Sequence, residues 1–307
     1  MSNWRKGVLL AASGALLWGG SGVAAQYLFH NKLFTPEWLV VIRLLCSGLI
    51  LLCIDAYQHF GDIFLIWKDS HDRKQLLIFG IVGMLSVQYT YFAAISYGNA
   101  ATATVLQYLM PIVIIGYIIL HNHHLPGIHE LIAVAFAMIG TLLLVTKGDF
   151  HTMEISPQAL FWGILSAFCA AFYTIQPKHL LFHWRSPLVI GWAMLIGGIV
   201  MIPVSPPWIF VGIWDIGACL SLLFIIFFGT VFAFWSYLES IKYIKPTETS
   251  AIASLEPLST VFLSIVLLHI SFGFIDMIGS LFIISTVFIL SKKNKNHQKK
   301  SNLTATK

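Results

Sequence analysis

The sequence predicts an all-α integral membrane protein with ten transmembrane helices, arranged as two inverted repeats of five helices each. Three observations carry this prediction. The 307 residues are 58% hydrophobic and only 10% charged, whereas soluble domains carry about 25% charged residues. The apolar residues fall into ten runs of about 20 residues, the length that crosses a bilayer. The two halves of the chain also share residues at a constant spacing.

Ten spans follow from the apolar runs and the polar residues that separate them. The predicted spans are 7–28, 37–54, 76–97, 100–120, 128–146, 157–177, 187–202, 216–240, 248–270 and 272–290. The first run extends to about Phe29, which is longer than the apolar core of a signal peptide. The longest connection, 55–75, is polar and is predicted to be a flexible loop, and the tail after Leu290 is predicted to be disordered.

The 18 Lys and Arg residues are distributed unequally between the two sides of the predicted membrane. Fifteen lie on the side of the N-terminus and the tail, two (Lys32 and Lys147) lie on the opposite side, and Arg43 lies inside a span. Cytoplasmic segments carry the excess of Lys and Arg, so both termini are predicted to be cytoplasmic, in a cell membrane. The net charge of +5 therefore reflects topology, and no nucleic-acid partner is expected.

The internal repeat divides the chain into a first five-helix repeat (1–146), a second five-helix repeat (157–290) and a basic polar tail (291–307). A shift of 146 residues brings these residues together: Gly83 with Gly229, Tyr91 with Tyr237, Tyr97 with Tyr243, Leu109 with Leu255, and Pro111 with Pro257. Because five is odd, the repeats enter the membrane in opposite orientations. Inverted repeats place a transport site at their interface, near the middle of the bilayer.

Two ionisable residues lie deep inside predicted spans, where a charge is costly and usually functional. Arg43 lies in the second span and Glu256 in the ninth, at depths that differ by less than about 10 Å. Their approximate repeat partners are Met194 and Met110, so each charge occurs once. Arg43 is predicted to attract an anionic group, and Glu256 to bind an amine or carry a proton. The alternative is a structural role, in which they pair with each other or Arg43 binds backbone carbonyls.

Polar and aromatic side chains at helical spacing surround these two positions. The other candidate substrate-binding residues are Trp18, Gln88, Tyr91, Gln107, Tyr173 and Gln176. Amides in a membrane need hydrogen-bond partners that lipid cannot supply, which favours a polar cavity over a lipid-facing position. Pro111 and Pro257 occupy matching mid-helix positions and each removes a backbone hydrogen bond. They are candidate hinges, although kinks without function are also tolerated in membranes.

Several other chemistries are not expected from this sequence. The histidine-rich run 121–124, with His129, lacks the ligand geometry typical of a metal site, so no metal is predicted. The sequence has no Walker A, HExxH or GxSxG motif, so neither ATP hydrolysis nor a hydrolase reaction is expected and no cofactor is predicted.

Five short sequence motifs occur in order along the chain. They are residues 15–21 (ALLWGGS), Arg43 with Leu44, residues 91–97 (YFAAISY) running into 100–103 (AATA), Pro111 followed by Gly140, and Leu255-Glu256-Pro257. Together and in this order they resemble the ten-helix EamA-type branch of the drug/metabolite transporter superfamily, over nearly the whole chain. The resemblance implies a secondary transporter, since many such proteins export amino acids, other metabolites or drugs.

The chain departs from this family pattern at two helix ends. Family members often end the fourth and ninth helices with Leu-Gly-Glu, whereas this chain has Leu120-His121-Asn122 and Leu268-His269-Ile270. The role of that glutamate is therefore not carried over.

These observations predict a secondary transporter, an exporter of amino acids or other small metabolites or drugs through a midplane cavity between the repeats. The expected partners are a small-molecule substrate, the lipid bilayer and a coupling proton, and the oligomeric state is left open. One Arg in the bundle favours zwitterionic, weakly anionic or aromatic solutes over phosphate esters, which need several cations. The alternatives are a membrane-embedded enzyme that modifies lipid, for which no catalytic constellation is visible, and a non-transporting membrane scaffold.

Overall fold

The computed structural model describes residues 3–59, 62–122, 128–146, 155–240, 243–244, 252–253, 255–270, 272–285 and 289. Within these residues the regular structure is helical and includes no strand. The helices are α1 (Asn3–Lys32), α2 (Pro36–His59), α3 (Ser70–Ile78), α4 (Ser86–Tyr97), α5 (Ala100–Gln107), α6 (Met110–Asn122), α7 (Ile128–Thr146), α8 (Pro157–Ile175), α9 (Lys178–His183), α10 (Ser186–Met201), α11 (Ile216–Leu223), α12 (Ala233–Ser240), α13 (Leu255–Leu268) and α14 (Phe274–Ser285).

These helices supply the ten predicted spans in order and confirm the predicted all-helical membrane fold. Five stretches are long and apolar enough to cross a membrane: Asn3–Lys32, Pro36–Tyr57, Ser70–Tyr97, Pro157–His183 and Ile216–Tyr237. Five shorter apolar stretches supply the others: Ala100–Ile114, Val134–Leu143, Ser186–Met201, Leu255–Leu268 and Phe274–Ser285. The predicted start of the ninth span, the predicted end of the tenth span and the whole tail lie outside the described residues.

The connection at 55–75 is mostly helical, so the prediction of a flexible loop was wrong. α2 continues into it, a short 3-10 helix covers Leu65–Trp67, and α3 begins before the predicted third span. Ile66 is completely buried, and the Trp67 ring packs edge-on against Trp192 of α10 with 5.1 Å between the centroids. A few apolar residues among polar neighbours therefore anchor this connection to the second repeat.

The two repeats are packed into each other rather than side by side. α2 of the first repeat lies along α10 of the second, where Gly48 and Gly191 approach so closely that neither position has room for a side chain. α4 lies along α8 in a second pairing of this kind. α1 contacts α4 and α5 of its own repeat as well as α12 and α13 of the other. It is therefore the helix around which the repeats meet.

Two π-helical segments interrupt the spans at positions related by the repeat. They cover Phe79–Leu85, between α3 and α4, and Phe224–Phe232, between α11 and α12. A shift of 146 residues places the first segment inside the second. In a π turn the backbone hydrogen bonds reach one residue further than in an α turn, and such segments occur frequently at functional sites. The internal repeat thus includes a matching irregularity of the backbone.

Charged contacts join the repeats at both ends of the bundle. At the predicted outer end, Lys32 pairs with Asp215, which lowers the pKa of the Asp215 carboxyl. At the predicted inner end, Arg185 donates to both carboxylate oxygens of Asp55, at 3.0 and 2.9 Å. These hydrogen bonds raise the pKa of Arg185 above its ordinary value. The repeats are therefore joined by an ion pair at each end of the bundle.

Candidate substrate site

Arg43 extends from α2 toward the π segment of the second repeat. Its side chain is buried, with 4% exposure. The Nε–H group donates to Thr230 Oγ1 at 2.6 Å, and an Nη2–H group donates to the Gly229 carbonyl oxygen at 3.3 Å. The guanidinium carbon lies 5.0 Å from the centre of the Phe92 ring, a favourable cation–π arrangement. Of the five N–H groups of an arginine, three have no acceptor among the described residues.

The groups around Arg43 are fixed by the π segment and by α1. Thr230 donates its own hydroxyl proton to the carbonyl of Ile225, five residues earlier, at 2.8 Å. Ser21 of α1 packs directly against Gly229, and its buried hydroxyl has no hydrogen-bond partner within the described part of the chain. A buried hydroxyl without a partner is unfavourable. Ser21 and Arg43 therefore favour the binding of an anionic group that accepts hydrogen bonds.

Glu256 lies in the first turn of α13, and its side chain is half-buried. Its backbone carbonyl accepts hydrogen bonds from the hydroxyls of Ser259 and Thr260 at 2.8 and 2.9 Å. Its carboxyl Oε2 lies 3.2 Å from the hydroxyl of Tyr108, in the first repeat. Among the described residues, the contacts of Glu256 and Arg43 include no ion pair between them. The direct pairing that the sequence left open is therefore not observed, whereas Arg43 does bind one backbone carbonyl.

Tyr108 connects the break in the fourth span to the residues just before α13. It lies in the turn between α5 and α6, and its hydroxyl donates to the Ala253 carbonyl oxygen at 2.7 Å. In a regular helix this carbonyl would accept from the N–H of residue 257, but Pro257 has none. Tyr108 thus supplies, from the other repeat, the donor that the proline removes.

The functional groups form an arc around one stretch of α1. A side chain at Gly19 would collide with Ser259, Thr260 and the Glu256 carbonyl. Gly22 lies against the hydroxyl of Tyr91, and Ser21 lies against Gly229. At 100° per residue, these positions face different directions. Going around α1, the arc therefore runs from Glu256 past Tyr91 to the π segment that binds Arg43.

The close approach of α1 to α13 gives a prediction for two neighbouring glycines. Gly19→Ala is expected to destabilise the protein by about 1–3 kcal/mol, because the added methyl group meets buried groups that cannot move freely. Gly20→Ala is the matched control, since its nearest neighbour is the Phe224 ring at 3.2 Å, which can rotate. We expect a change below about 0.5 kcal/mol there. Unfolding in mixed detergent micelles measures both, and equal effects would contradict the close approach.

Two of the predicted aromatic residues lie at the arc. Trp18 packs against Phe234 and Tyr237, with 5.1 Å between ring centroids in each pair. Tyr91 is buried, and its hydroxyl is 2.7 Å from Thr104 Oγ1. Trp18 thus joins α1 to α12 of the second repeat, and Tyr91 lies against α1 from the first repeat.

The other predicted residues make separate contacts. Gln107 ends α5 beside Tyr108, Gln88 approaches the Met84 sulfur at 3.9 Å, Tyr173 stacks on Phe79 at 5.4 Å, and Gln176 donates to Gln75 Oε1 at 2.7 Å. Gln176 follows the last residue of α8, and its partner lies in α3. It therefore joins two helices near the predicted inner end, and no described contact connects it to the arc.

The two predicted hinge prolines occupy different positions in their helices. Pro111 is the second residue of α6, directly after the turn that separates α6 from α5. The Leu109 carbonyl in this turn accepts from the N–H groups of both Ile112 and Val113. Pro257 is the third residue of α13, and residues 252–253 are also helical. A break in the fourth span is therefore present, whereas the residues on which a ninth-span break depends are only partly described.

Three residues of the site had not been singled out from the sequence. Thr230 and Phe92 bind Arg43, and no sequence pattern distinguishes them from other residues in apolar spans. The sequence does contain a signal for a contact like that of Tyr108, because Pro257 leaves the Ala253 carbonyl without its helical hydrogen-bond donor.

The described residues contain no group of three His, Cys, Asp or Glu side chains that could hold a metal ion. The side chains of the histidine run and of His129 lie outside the description.

Comparisons with known proteins connect this geometry to a family. The EamA-like transporter family matches the chain twice, over residues 5–146 and 157–292. An uncharacterized inner membrane transporter, YicL of Salmonella typhimurium, is 40% identical over 291 residues, which cover 95% of this chain and 97% of the relative. An uncharacterized transporter of Bacillus subtilis, YyaM, is 25% identical over 223 residues, or 66% of this chain and 70% of that one.

A solved crystal structure also shares the fold. It superposes with a TM-score of 0.61 at 14% sequence identity, covering 94% of this chain and 98% of the other. At this identity the similarity concerns the arrangement of the helices.

Proposed function

Because this chain belongs to the EamA-like transporter family, we propose that it is a secondary exporter of amino acids or similar small carboxylated metabolites. The family and both named relatives are transporters, so the chain is a membrane transporter and not a lipid-modifying enzyme. The observation that carries the finer proposal is Arg43, a buried guanidinium in which three N–H groups have no acceptor among the described residues.

The number of cations at the site limits the substrate class. A carboxylate matches the planar fork of one guanidinium and forms two parallel hydrogen bonds with it. Phosphate esters and nucleotide sugars carry more charge and favour several cations. Among the described residues of the arc, Arg43 is the one cationic side chain. We therefore propose a single carboxylate as the group that Arg43 binds.

The aromatic residues favour a solute with an apolar or aromatic part. Phe92 lies under the guanidinium, its neighbour Tyr91 lies against Gly22 of α1, and Trp18 of α1 packs against Tyr237. Aromatic rings contribute apolar contact area together with defined polar atoms. A carboxylate on Arg43 would place the remainder of a small amino acid among these rings.

A proteoliposome panel tests this proposal. Purified protein is reconstituted, and uptake and counterflow of labelled aromatic, aliphatic and acidic amino acids are measured. Each active solute is compared with its carboxamide, which lacks the negative charge, and with its N-acetyl form, which lacks the amine charge. We expect the carboxamide to be lost as a substrate. Equal transport of the carboxamide would contradict the role of Arg43, and no transport of any solute would contradict the proposed substrate class.

The proposed topology rests on the distribution of Lys and Arg. We propose that the two repeats are inverted in a cell membrane, with both termini in the cytoplasm. In a background that lacks the four native cysteines, Lys32→Cys and Gly148→Cys are expected to react with an impermeant maleimide in intact cells. Ser301→Cys in the tail is expected to react only after the cells are opened. Labelling of the tail from outside would contradict this topology.

A further inference from the structure

We propose that Glu256 is a proton-binding site whose carboxyl proton holds the two repeats together through Tyr108. This inference rests on the proposed transport function and assigns to Glu256 the role of proton carrier instead of amine binder. It depends on three atoms: the Tyr108 hydroxyl oxygen, the Ala253 carbonyl oxygen at 2.7 Å and the Glu256 carboxyl oxygen at 3.2 Å.

The number of protons available to these three oxygens decides which hydrogen bonds can form. A tyrosine hydroxyl has one proton to donate, while its oxygen can also accept a hydrogen bond. The Ala253 carbonyl can only accept. If Tyr108 donates to Ala253, its contact with Glu256 becomes a hydrogen bond only when the carboxyl group supplies the second proton. Both contacts are satisfied together in the protonated form of Glu256, as a chain from the carboxyl to Tyr108 to the Ala253 carbonyl.

Loss of the carboxyl proton breaks this chain. The carboxylate and the Ala253 carbonyl then compete for the one proton of Tyr108. Pro257 offers Ala253 no helical N–H group, so one of the two acceptors loses its hydrogen bond with Tyr108. An unsatisfied polar group inside a membrane is costly. One of the two hydrogen bonds between the turn after α5 and residues 253–256 is therefore lost when Glu256 is ionised.

Among the charged and titratable groups around Glu256, its own carboxyl group is the one suited to bind and release a proton. Tyr108 faces it from the turn after α5, Tyr91 from α4 and Arg43 from α2, and Tyr237 of α12 lies near Tyr108. Residues 7–26 of α1, which pack between these helices, include no titratable side chain. Among these groups, only Glu256 belongs to a residue type whose ordinary titration lies below neutral pH.

The proton therefore acts on the packing of the two repeats. With the proton bound, the turn after α5 is held against α13. With the proton released to water, that contact loosens, and the conformation in which the repeats have rearranged becomes more populated. By linkage, the conformation in which the contact is made binds the proton more tightly than the conformation in which it is broken. This couples proton binding to the movement that transport requires.

Hydrogen exchange of the full-length protein in liposomes, without any solute, tests the inference. The amides of residues 104–113 are followed by mass spectrometry from acid to alkaline pH, with correction for the intrinsic pH dependence of exchange. In the wild type, protection is expected to fall roughly fivefold or more as Glu256 loses its proton, the factor associated with about one net hydrogen bond. In Glu256→Gln, the side-chain amide donates to Tyr108 permanently, so protection is expected to persist at alkaline pH.

Two tyrosine variants complete the experiment. Tyr108→Phe is expected to be poorly protected at every pH. Tyr89→Phe is the matched control, because Tyr89 forms the other described Tyr–Glu hydrogen bond, at 2.9 Å to Glu37, and it should behave like the wild type. If Tyr108→Phe does not fold, Glu256→Gln decides alone. A Glu256→Gln protein that still responds to pH, or is unprotected throughout, overturns the inference. If the hydrogen-exchange experiment contradicts the inference but a carboxylated solute is transported, the proposed function remains intact.

Discussion

Replacing Arg43 with glutamine is expected to reduce transport roughly a hundredfold or more while the protein remains folded. Hydrogen bonds to charged groups contribute about 1.5–3 kcal/mol each, and a carboxylate on the guanidinium would lose two of them. Arg43→Lys is also expected to transport poorly, because an ammonium group cannot present the planar fork. The measurement is the initial rate of counterflow in proteoliposomes, for the solute that the panel identifies.

The control for Arg43 separates loss of the site from loss of the fold. Arg73→Gln removes a cation from the exposed side of α3 and is expected to transport normally. Gel filtration and thermal unfolding in detergent report whether each variant is folded. Near-normal transport by Arg43→Gln would rule out the proposed role, and loss of the folded peak would assign Arg43 to structure.

Glu256→Gln is expected to abolish accumulation of the solute against its gradient when a pH difference is imposed. It is also expected to continue exchanging solute across the membrane. A glutamine at this position donates to Tyr108 but releases no proton, so the coupling is lost while the carboxylate site on Arg43 remains. The two assays, pH-driven accumulation and solute exchange, are run on the same proteoliposomes.

The same two assays distinguish the other roles of Glu256. An amine-binding group would lose affinity for the solute in both assays, and this result would contradict proton carriage. A variant that matches the wild type in both assays and unfolds more readily would show a structural role. Glu37→Gln is the matched control, since it removes the carboxylate bound by Tyr89 and lies outside the proposed proton site.

The general fold could be predicted because the bilayer constrains it strongly. The length of the apolar runs and the spacing of the repeated residues can both be read directly from the sequence. The burial of Arg43 followed from its depth in a span, and the helix break in the fourth span followed from Pro111. Each of these depends on one residue or on one helix at a time.

The features that could not be predicted depend on contacts between segments that are far apart in the sequence. The π segment at Phe224–Phe232 lies in a run of apolar residues, and no local signal marks its wider turn. Gln176 was assigned to the site from its helix face, but its position at the end of α8 places its amide beside Gln75. The connection at 55–75 reads as polar, yet Ile66 and Trp67 anchor it to α10. In each case the decisive neighbour is more than 100 residues away or lies on another helix.

The binding partners of Arg43 also determine the order of events during synthesis. Thr230 follows Arg43 by 187 residues, so a ribosome that adds about 5–20 residues per second needs roughly 10–40 s to produce it. During that interval α2 has to enter the bilayer with a guanidinium whose final acceptors have not yet been made. Insertion scales put this cost at about 2.5–3.5 kcal/mol for an arginine at the centre of a helix, and the apolar residues of α2 have to offset it. Insertion of the first repeat and binding of its buried arginine are thus separate steps, and the second can begin only when the span that contains Gly229 and Thr230 emerges.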